Sequence, residues 1–136
     1  MSDIPGFKVP VEETLDGVLG FETLELDPER ARSRAPVENR IRQPYGLVHG
    51  GVYGAMAESL VSQATAWAVA DDGNIAVGLS NHTSFMRPAL EGYVNASARR
   101  IHRGSTTWVW EVELTDDAGR LCALSRVTMA VRPARP

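Results

Sequence analysis

The sequence predicts an α+β fold in which an antiparallel sheet wraps around one long helix. Two observations carry this prediction: an apolar stretch at residues 50–70, and a series of strand-like segments that follows it with short connections. Short connections favour antiparallel pairing. The simplest way to bury an apolar helix is to place it in the concave face of that sheet.

The segments before the helix are predicted to be an arm, two strands and a loop. Residues 1–13 form a loosely held arm, and residues 15–26 pair with residues 30–37 around a turn containing Pro28. A loop over residues 38–49 then leads to the helix.

The helix is predicted to run from about Gly50 to Ala70 and to stop at Asp71-Asp72-Gly73, because glycine suits the left-handed position after a helix C-terminus. Strands are predicted over residues 78–85, 93–102, 107–114 and 121–131. The third of these alternates cleanly, with one face apolar and the other acidic; the apolar face carries Trp108, Trp110, Val112 and Leu114, and the acidic face carries Glu111 and Glu113.

Size and composition indicate one globular domain, which we expect to span residues 14–136. The chain has 136 residues, of which 43% are hydrophobic and 23% charged. No stretch approaches the roughly 20 apolar residues of a membrane helix, and the start lacks the features of an export signal, so no membrane association and a cytoplasmic location are expected. The lone Cys122 is expected to be a small core residue. The net charge of -3 argues against nucleic acid as a partner.

One carboxylate interrupts the apolar helix. Glu58 lies in a run without a polar face, and a helix of that kind is normally buried. An ionised carboxylate removed from water is costly unless it performs chemistry, so Glu58 is the first candidate for a nucleophile or base. At the helix entrance, Gly50 and Gly51 offer unpaired N–H groups that can receive a carbonyl oxygen or an anion.

The spacing of these two features predicts an assembly. Glu58 lies roughly 12 Å further along the helix axis than Gly50, at about 1.5 Å per residue. That is too far for an attack on a carbonyl held at the same helix entrance. If the two features cooperate, they come from two antiparallel copies of the helix across a two-fold axis, which gives a homodimer with two sites.

The chain resembles the hotdog-fold acyl-CoA thioesterases of the phenylacetyl-CoA thioesterase-like group, and within it the glutamate-dependent 4-hydroxybenzoyl-CoA thioesterases. The resemblance covers the chain from about residue 14 to its end. The segments that carry it are Thr14-Leu15-Asp16-Gly17, Arg42-Gln43, Gly46-Leu47-Val48-His49-Gly50-Gly51, Ala57-Glu58, Ser80-Asn81-His82-Thr83-Ser84-Phe85, Arg87-Pro88, Gly104-Ser105-Thr106-Thr107-Trp108, residues 116–122 and residues 130–133. Gln43, Gly50, Glu58 and Ser62 at these offsets are the specific part.

The resemblance implies a catalytic role for each of these residues. Gly50 would donate its backbone N–H to the thioester oxygen, and Gln43 would hydrogen-bond the same carbonyl. His49 would shape the entrance rather than act as a base. Ser62 would hold the attacking water or the intermediate, with a hydroxyl bonded back to the helix as the alternative. Glu58 would attack the thioester carbon, or would take a proton from water that attacks directly.

The resemblance also implies how coenzyme A and the acyl group are bound. Arg87, Ser105, Thr106 and Arg135 would contact coenzyme A, which is part of the substrate rather than a cofactor. Asp16 and Gln63 would lie near the acyl ring, where Asp16 could accept a hydrogen bond from a phenolic hydroxyl. Gln63 and Ser62 depart from the glutamate and threonine of the 4-hydroxybenzoyl-CoA enzymes, which leaves phenylacetyl and 1,4-dihydroxy-2-naphthoyl groups open. The resemblance further implies a homotetramer of two dimers.

Two other functions compete with hydrolysis. A hotdog hydratase or dehydratase needs a carboxylate and a histidine in one site, whereas His49 lies at the far end of the helix from Glu58. A non-catalytic acyl-CoA sensor would leave Glu58 without a task. No metal is expected, because no cluster in the sequence has metal-ligand spacing.

Overall fold

The computed structural model describes residues 8–134, which form a six-stranded antiparallel sheet and two α-helices. The helices are α1 (Leu15–Leu19) and α2 (Gly50–Val69). The strands are β1 (Glu22–Leu26), β2 (Arg30–Pro36), β3 (Asn74–Phe85), β4 (Tyr93–Arg103), β5 (Thr107–Thr115) and β6 (Leu121–Pro133), with the spatial order β1-β2-β4-β5-β6-β3. Single 3-10 turns span Val11–Glu13, Asn39–Ile41 and Ala70–Asp72.

Helix α2 lies in the concave face of the sheet, as the sequence predicts, and the fold is the hotdog fold. One side of the helix is buried in the core, including Met56, Leu60 and Val61. The predicted apolar face of β5 is buried: Trp108, Trp110, Val112 and Leu114 are each at most 2% exposed. Within residues 8–134 no helix combines the length and hydrophobicity that crossing a membrane requires.

The ends of α2 agree with the sequence. His49 is its N-cap, and the helix ends at Val69, one residue before the predicted end. A 3-10 turn then carries Asp71 and Asp72, and Gly73 follows with a φ of 74°. The glycine occupies the left-handed position that was expected of it.

The prediction of one strand over residues 15–26 is wrong. Residues 15–19 are helical, and Gly20 ends α1 with a φ of 79°. The reason is a contact with the preceding turn, because a Cβ at Gly17 would lie 2.1 Å from the carbonyl oxygen of Val11. Only a glycine lets α1 pack this closely, and the first strand begins after it at Glu22.

Strand β3 begins at Asn74, four residues earlier than predicted, and forms an edge of the sheet. A β-bulge interrupts its pairing with β6 between Gly78 and Ser80. Because the bulge adds one residue, it changes which side chains face α2. Gly78 faces the helix before the bulge, and Asn81, Thr83 and Phe85 face it afterwards.

Candidate active site

A groove of about 560 Å³ runs between α2 and strand β3, and we call it the helix groove. Its floor is one face of α2, where residues three and four apart lie above one another. Its lining residues are Leu15, Gly50, Gly51, Gly54, Ala55, Glu58, Ser59, Asn81, Thr83 and Phe85. The predicted polariser Gly50 and the predicted catalytic carboxylate Glu58 therefore line the same groove, eight residues apart.

The first N–H groups of α2 have different partners. Gly51 donates its N–H to His49 Nδ1 at 2.8 Å, and Val52 donates to the carbonyl oxygen of His49 at 3.0 Å. No acceptor in residues 8–134 takes the N–H of Gly50. Gly50 thus presents a free donor at the positive end of the helix dipole. Since Nδ1 of His49 is an acceptor, the neutral ring carries its proton on Nε2.

A second, adjoining cavity of about 350 Å³ lies beside the loop before α2, and we call it the loop cavity. It is lined by Gln43, Gly50 and Arg87 among others. The side-chain oxygen of Gln43 accepts the N–H of Tyr45 at 2.6 Å, which orients the amide and leaves its NH₂ group available as a donor. The structure therefore brings together the two predicted carbonyl donors, Gln43 and Gly50.

Phe85 separates the loop cavity from the helix groove. Its ring lies so close to α2 that a Cβ at Gly50 would be 3.0 Å from Phe85 Cε1. The ring also packs against Tyr53, with the two centroids 6.2 Å apart. Gly50 and Phe85 are the two residues that line both the helix groove and the loop cavity.

The expected burial of Glu58 is wrong for the single chain, in which its side chain is exposed. The physical reason is that α2 turns its other side to the core, whereas the face that carries Glu58 lies at the open edge formed by β3. Asn81 Nδ2 lies 3.4 Å from Glu58 Oε1, and Gly78 lies opposite the carboxylate.

Asp16 and Gln63, the two residues predicted to lie near the acyl ring, are in contact with each other. Asp16 accepts hydrogen bonds from the Ser59 hydroxyl at 2.7 Å and from Gln63 Nε2 at 3.4 Å. Thr23 holds the other end of the Gln63 amide by donating to its oxygen at 2.8 Å. Because Ser59 and Leu15 line the helix groove, this polar cluster borders the groove beyond Glu58.

Ser62 is not brought to the helix groove. Its hydroxyl lies 3.7 Å from Met129 Sδ, on the side of α2 that faces β6. The alternative of a hydroxyl bonded back to the helix is not seen at Ser62, whereas Thr65 does donate in this way, to the carbonyl oxygen of Val61 at 2.7 Å. The orientation of Ser62 in the single chain gives it no contact with Glu58.

The predicted coenzyme A contacts lie at opposite ends of the sheet. Arg87 follows the end of β3 in the loop cavity, whereas Ser105 and Thr106 are in the turn between β4 and β5. The carbonyl oxygen of Thr106 accepts the N–H of Val131, which pairs with the start of β3. That separation is roughly 30 Å at about 3.3 Å per strand residue. Arg135 lies outside the described residues.

No histidine shares the helix groove with Glu58. His49 caps α2, and His82 lies on the other face of β3, in a cavity with Glu111 and Arg126. His102 belongs to β4, next to the turn that contains Gly104. The chain has three histidines in all, so within one chain no histidine is paired with Glu58 in the way that a dehydratase would need.

Cys122 is fully buried, as expected of a core residue. Burial raises the pKa of its thiol above the ordinary value, which keeps the sulfur protonated and unreactive. Across residues 8–134, no three histidine, cysteine, aspartate or glutamate side chains gather in a way that could hold a metal ion.

Four residues that line the helix groove were not predicted as site residues. Ser59 holds Asp16, Asn81 contacts Glu58, Thr83 contacts Asn81, and Phe85 covers Gly50. The signal that could have found the last three is the alternation of Asn81, Thr83 and Phe85 along β3 after the bulge. Ser59 gives no signal of its own, because its partner Asp16 is 43 residues away in sequence.

Comparison with known proteins defines the class to which this site belongs. The family model of the thioesterase superfamily matches residues 45–123, which contain α2, Glu58 and most of the sheet. The chain belongs to the thioesterase superfamily, and it is an enzyme of the thioester hydrolase class.

Several relatives span almost the whole chain. A Mycobacterium tuberculosis protein named only as a candidate esterase is 38% identical, with 100% of each chain covered. The 1,4-dihydroxy-2-naphthoyl-CoA hydrolase of Escherichia coli is 34% identical, with 88% of each chain covered. The crystal structure of a mutant thioesterase from Pseudomonas aeruginosa is 36% identical with a TM-score of 0.86, covering 91% of this chain and 89% of that one.

Proposed function

We propose that this enzyme hydrolyses an aromatic acyl-CoA thioester to the free acid and coenzyme A. The observation that carries the proposal is that Gly50, whose N–H is free, and Glu58 line one groove. The first can polarise a thioester carbonyl, and the second can attack it or activate water. Both are requirements of acyl transfer to water.

The carbonyl oxygen would bind between the Gly50 N–H and the NH₂ group of Gln43. A donor of this kind contributes roughly 3 kcal/mol to the stabilisation of the developing oxyanion. Glu58 would then act in one of two ways. A carboxylate oxygen attacks the carbonyl carbon, the coenzyme A thiolate leaves, and water opens the mixed anhydride; or Glu58 takes a proton from a water that attacks the same carbon.

We further propose that each site is built from two chains in a homodimer. Strand β3 leaves a twelve-residue edge open, and Ile75, Val77 and Leu79 on it are 46%, 52% and 57% exposed. Such an edge invites pairing with another strand. An antiparallel copy of β3 across a two-fold axis would bring the Arg87 end of one chain to the Thr106 end of its partner.

The same two-fold axis addresses the distance along α2. It would place Gly50 of one chain opposite Glu58 of the other. The same two-fold rotation would therefore bring together both Gly50 with Glu58 and Arg87 with Thr106. Pairing would also cover the exposed face of Glu58, which raises the strength of its electrostatic interactions. A homotetramer of two such dimers is part of the proposal and rests on the resemblance alone.

The acyl group would be a hydroxylated aromatic one. The Asp16 carboxylate borders the helix groove beyond Glu58, where it could accept a hydrogen bond from a phenolic hydroxyl. This favours 4-hydroxybenzoyl-CoA, and also 1,4-dihydroxy-2-naphthoyl-CoA, the substrate named for the E. coli relative. Phenylacetyl-CoA is the weaker alternative because it offers no hydroxyl to Asp16.

The test is a panel of acyl-CoAs with a reagent that traps released thiol. We expect thiol release from the two hydroxylated aromatic thioesters, with lower kcat/KM for phenylacetyl-CoA. A dehydratase or hydratase would change the acyl chain without freeing thiol, and a sensor would bind without turnover. Absence of thiol release from every aromatic thioester in the panel would refute the proposal.

A matched variant tests the role of Glu58. Glu58→Gln keeps the shape of the side chain but removes its charge and basicity, so kcat should fall more than a hundredfold while substrate binding changes little. A fall of less than about tenfold, which is barely 1.4 kcal/mol of barrier, would show that Glu58 is neither nucleophile nor base.

A further inference from the structure

We propose that Asn81 is a positioning residue that orients the Glu58 carboxylate and leaves one of its two oxygens free to react. Asn81 Nδ2 donates to the carbonyl oxygen of Gly54 at 2.9 Å and lies 3.4 Å from Glu58 Oε1. Hydrogen bonds at catalytic groups are often long in a free enzyme and shorten when substrate binds. The inference rests on the catalytic role proposed for Glu58.

The β-bulge is what brings Asn81 to the helix. Side chains alternate between the two faces of a strand, so Gly78 and Asn81 would face opposite sides in a regular strand. The register shift between Gly78 and Ser80 places both on the side of α2. Gly78, without a side chain, leaves room for the carboxylate, and Asn81 supplies the donor next to it.

The Asn81 amide is held in one orientation from behind. The Thr83 hydroxyl donates to Asn81 Oδ1 at 2.9 Å, and it lies 2.8 Å from the hydroxyl of the fully buried Ser125. Because the single hydrogen of Thr83 is directed to Asn81, Ser125 is the donor to Thr83. The hydrogen bonds in this series, from Ser125 to Thr83 and from Thr83 to Asn81, are therefore all donated in the direction from β6 towards Glu58. Hydrogen bonds aligned in this way strengthen one another.

The consequence is that the two carboxylate oxygens differ. Oε1 faces the amide nitrogen of Asn81. Oε2 lies towards Gly78, 3.7 Å from the position that a Cβ would occupy there. Oε2 is thereby left to attack the thioester or to accept a proton from water. Asn81 does not need to touch the substrate to do this, so its loss should lower kcat more than it raises KM.

The experiment compares Asn81→Leu, which keeps the approximate volume but removes the donor, with His82→Leu as the matched control on the opposite face of the same strand. We expect kcat for the best aromatic acyl-CoA to fall about tenfold to a hundredfold in Asn81→Leu, the range for one hydrogen bond to a charged group. KM should change by less than about twofold, and His82→Leu should resemble the wild type. An unchanged kcat, or a loss confined to KM, would overturn the proposal.

A double-mutant cycle separates positioning from a general loss of structure. Thr83→Val removes the donor to Asn81 and lets the amide turn, so kcat should fall several-fold in the wild-type background. In the Asn81→Leu background the same substitution should have no effect on kcat, because the amide is already gone. Additive effects on kcat would overturn the chain of hydrogen bonds, even if Asn81→Leu alone folded poorly.

Glu58→Gln, assayed in parallel, distinguishes this proposal from the proposed function. If Glu58→Gln retains turnover, the carboxylate is not catalytic and both proposals are refuted. If Glu58→Gln loses turnover while Asn81→Leu retains it, only the positioning role of Asn81 is refuted.

Discussion

His49 Nδ1 accepts the N–H of Gly51 at 2.8 Å, and this one hydrogen bond leaves Gly50 as the donor at the start of α2. A helix N-terminus normally offers several N–H groups at once, any of which could bind a carbonyl oxygen. Here the N-cap side chain occupies one of them. With the N–H of Val52 donated to the carbonyl oxygen of His49, the N–H of Gly50 is the one left without an acceptor in residues 8–134 among the first three of the helix.

The first prediction follows from this cap. His49→Ala should lower the free energy of unfolding by about 1 kcal/mol, the usual cost of losing an N-cap. His49→Asn should restore most of that stability, because asparagine is also a good N-cap. Thermal unfolding and kcat measured on both variants provide the check. If both variants lost turnover a thousandfold, the imidazole would have a chemical role and not only a capping one.

The second prediction isolates the Gly50 N–H. Proline is well tolerated at the first position of a helix, and His49 already has the extended ψ of 133° that a residue before proline prefers. Gly50→Pro should therefore keep α2 intact but remove the donor.

Gly50→Ala is the matched control, since it adds the same Cβ against Phe85 and keeps the N–H. We expect kcat of Gly50→Pro to be lower than that of Gly50→Ala by roughly a hundredfold, which corresponds to about 3 kcal/mol. Equal kcat values for the two variants would mean that the N–H of Gly50 does not bind the carbonyl.

The third prediction tests whether sites are shared between chains. Inactive Glu58→Ala chains and inactive Gly50→Pro chains are mixed under conditions of subunit exchange. Half of the random dimers are mixed, and one of the two sites in each mixed dimer is intact, so about a quarter of the sites should regain activity. If exchange is verified by mass spectrometry and no activity returns, each site is built within one chain.

The fourth prediction concerns a hydrogen bond in the core. Trp110 Nε1 donates to Thr65 Oγ1 at 2.9 Å, and both residues are 0% exposed. Thr65→Val keeps the volume but leaves the indole N–H without an acceptor, which should lower the free energy of unfolding by about 1–3 kcal/mol. Thr65→Ser should recover much of this loss. Denaturant unfolding of the two variants is the measurement, and a fully stable Thr65→Val would contradict the prediction.

The fifth prediction concerns pH and the turn between β5 and β6. The backbone N–H of Arg120 donates to the Asp116 carboxylate at 2.9 Å, and together with the Arg120 side chain it holds the pKa of Asp116 below its usual value. A carboxylate whose pKa is lower in the folded state than in the unfolded state stabilises the fold at pH values above its unfolded-state pKa, which is about 3.9. That stabilisation is lost as the pH falls through the folded-state pKa.

Asp116→Asn should therefore unfold at a lower temperature than the wild type at pH 7, and the difference should narrow as the pH falls below about 4. Asp72→Asn, at an exposed carboxylate in the turn after α2, is the control for the removal of one negative charge. A difference that stays constant from pH 7 to pH 3 would show that the charge of Asp116 does not contribute.

The sequence predicted α2 and the alternating strands well because those patterns are local. A run of about twenty mostly apolar residues closed by Gly73 permits one interpretation, and the alternation from Trp108 to Leu114 permits one orientation of β5. Helix α1 was missed for the opposite reason. It is five residues long and contains a glycine, and it is helical because Gly17 packs against the carbonyl of Val11.

The candidate site was predicted where it lies on α2 and missed where it lies on β3. Gly50 and Glu58 could be proposed from the helix alone. Asn81 could not, because the side on which it points depends on the bulge, and the bulge depends on how β3 pairs with β6. The exposure of Glu58 likewise depends on the position of α2 at the sheet edge, which no single segment encodes.

The bulge at Leu79 also makes the pairing of strand β3, rather than its length, decisive for the enzyme. Deleting Leu79 would restore a regular strand and keep Asn81, Thr83 and Phe85 on the side of the helix, because Asn81 would then be the second residue after Gly78. If Leu79 instead took a place in the ladder with no change of length, those three side chains would turn to the outer face, and Ser80, His82 and Ser84 would face the helix. A slip of one residue in pairing could thus exchange the wall opposite Glu58 and bring a histidine beside the carboxylate, without any substitution.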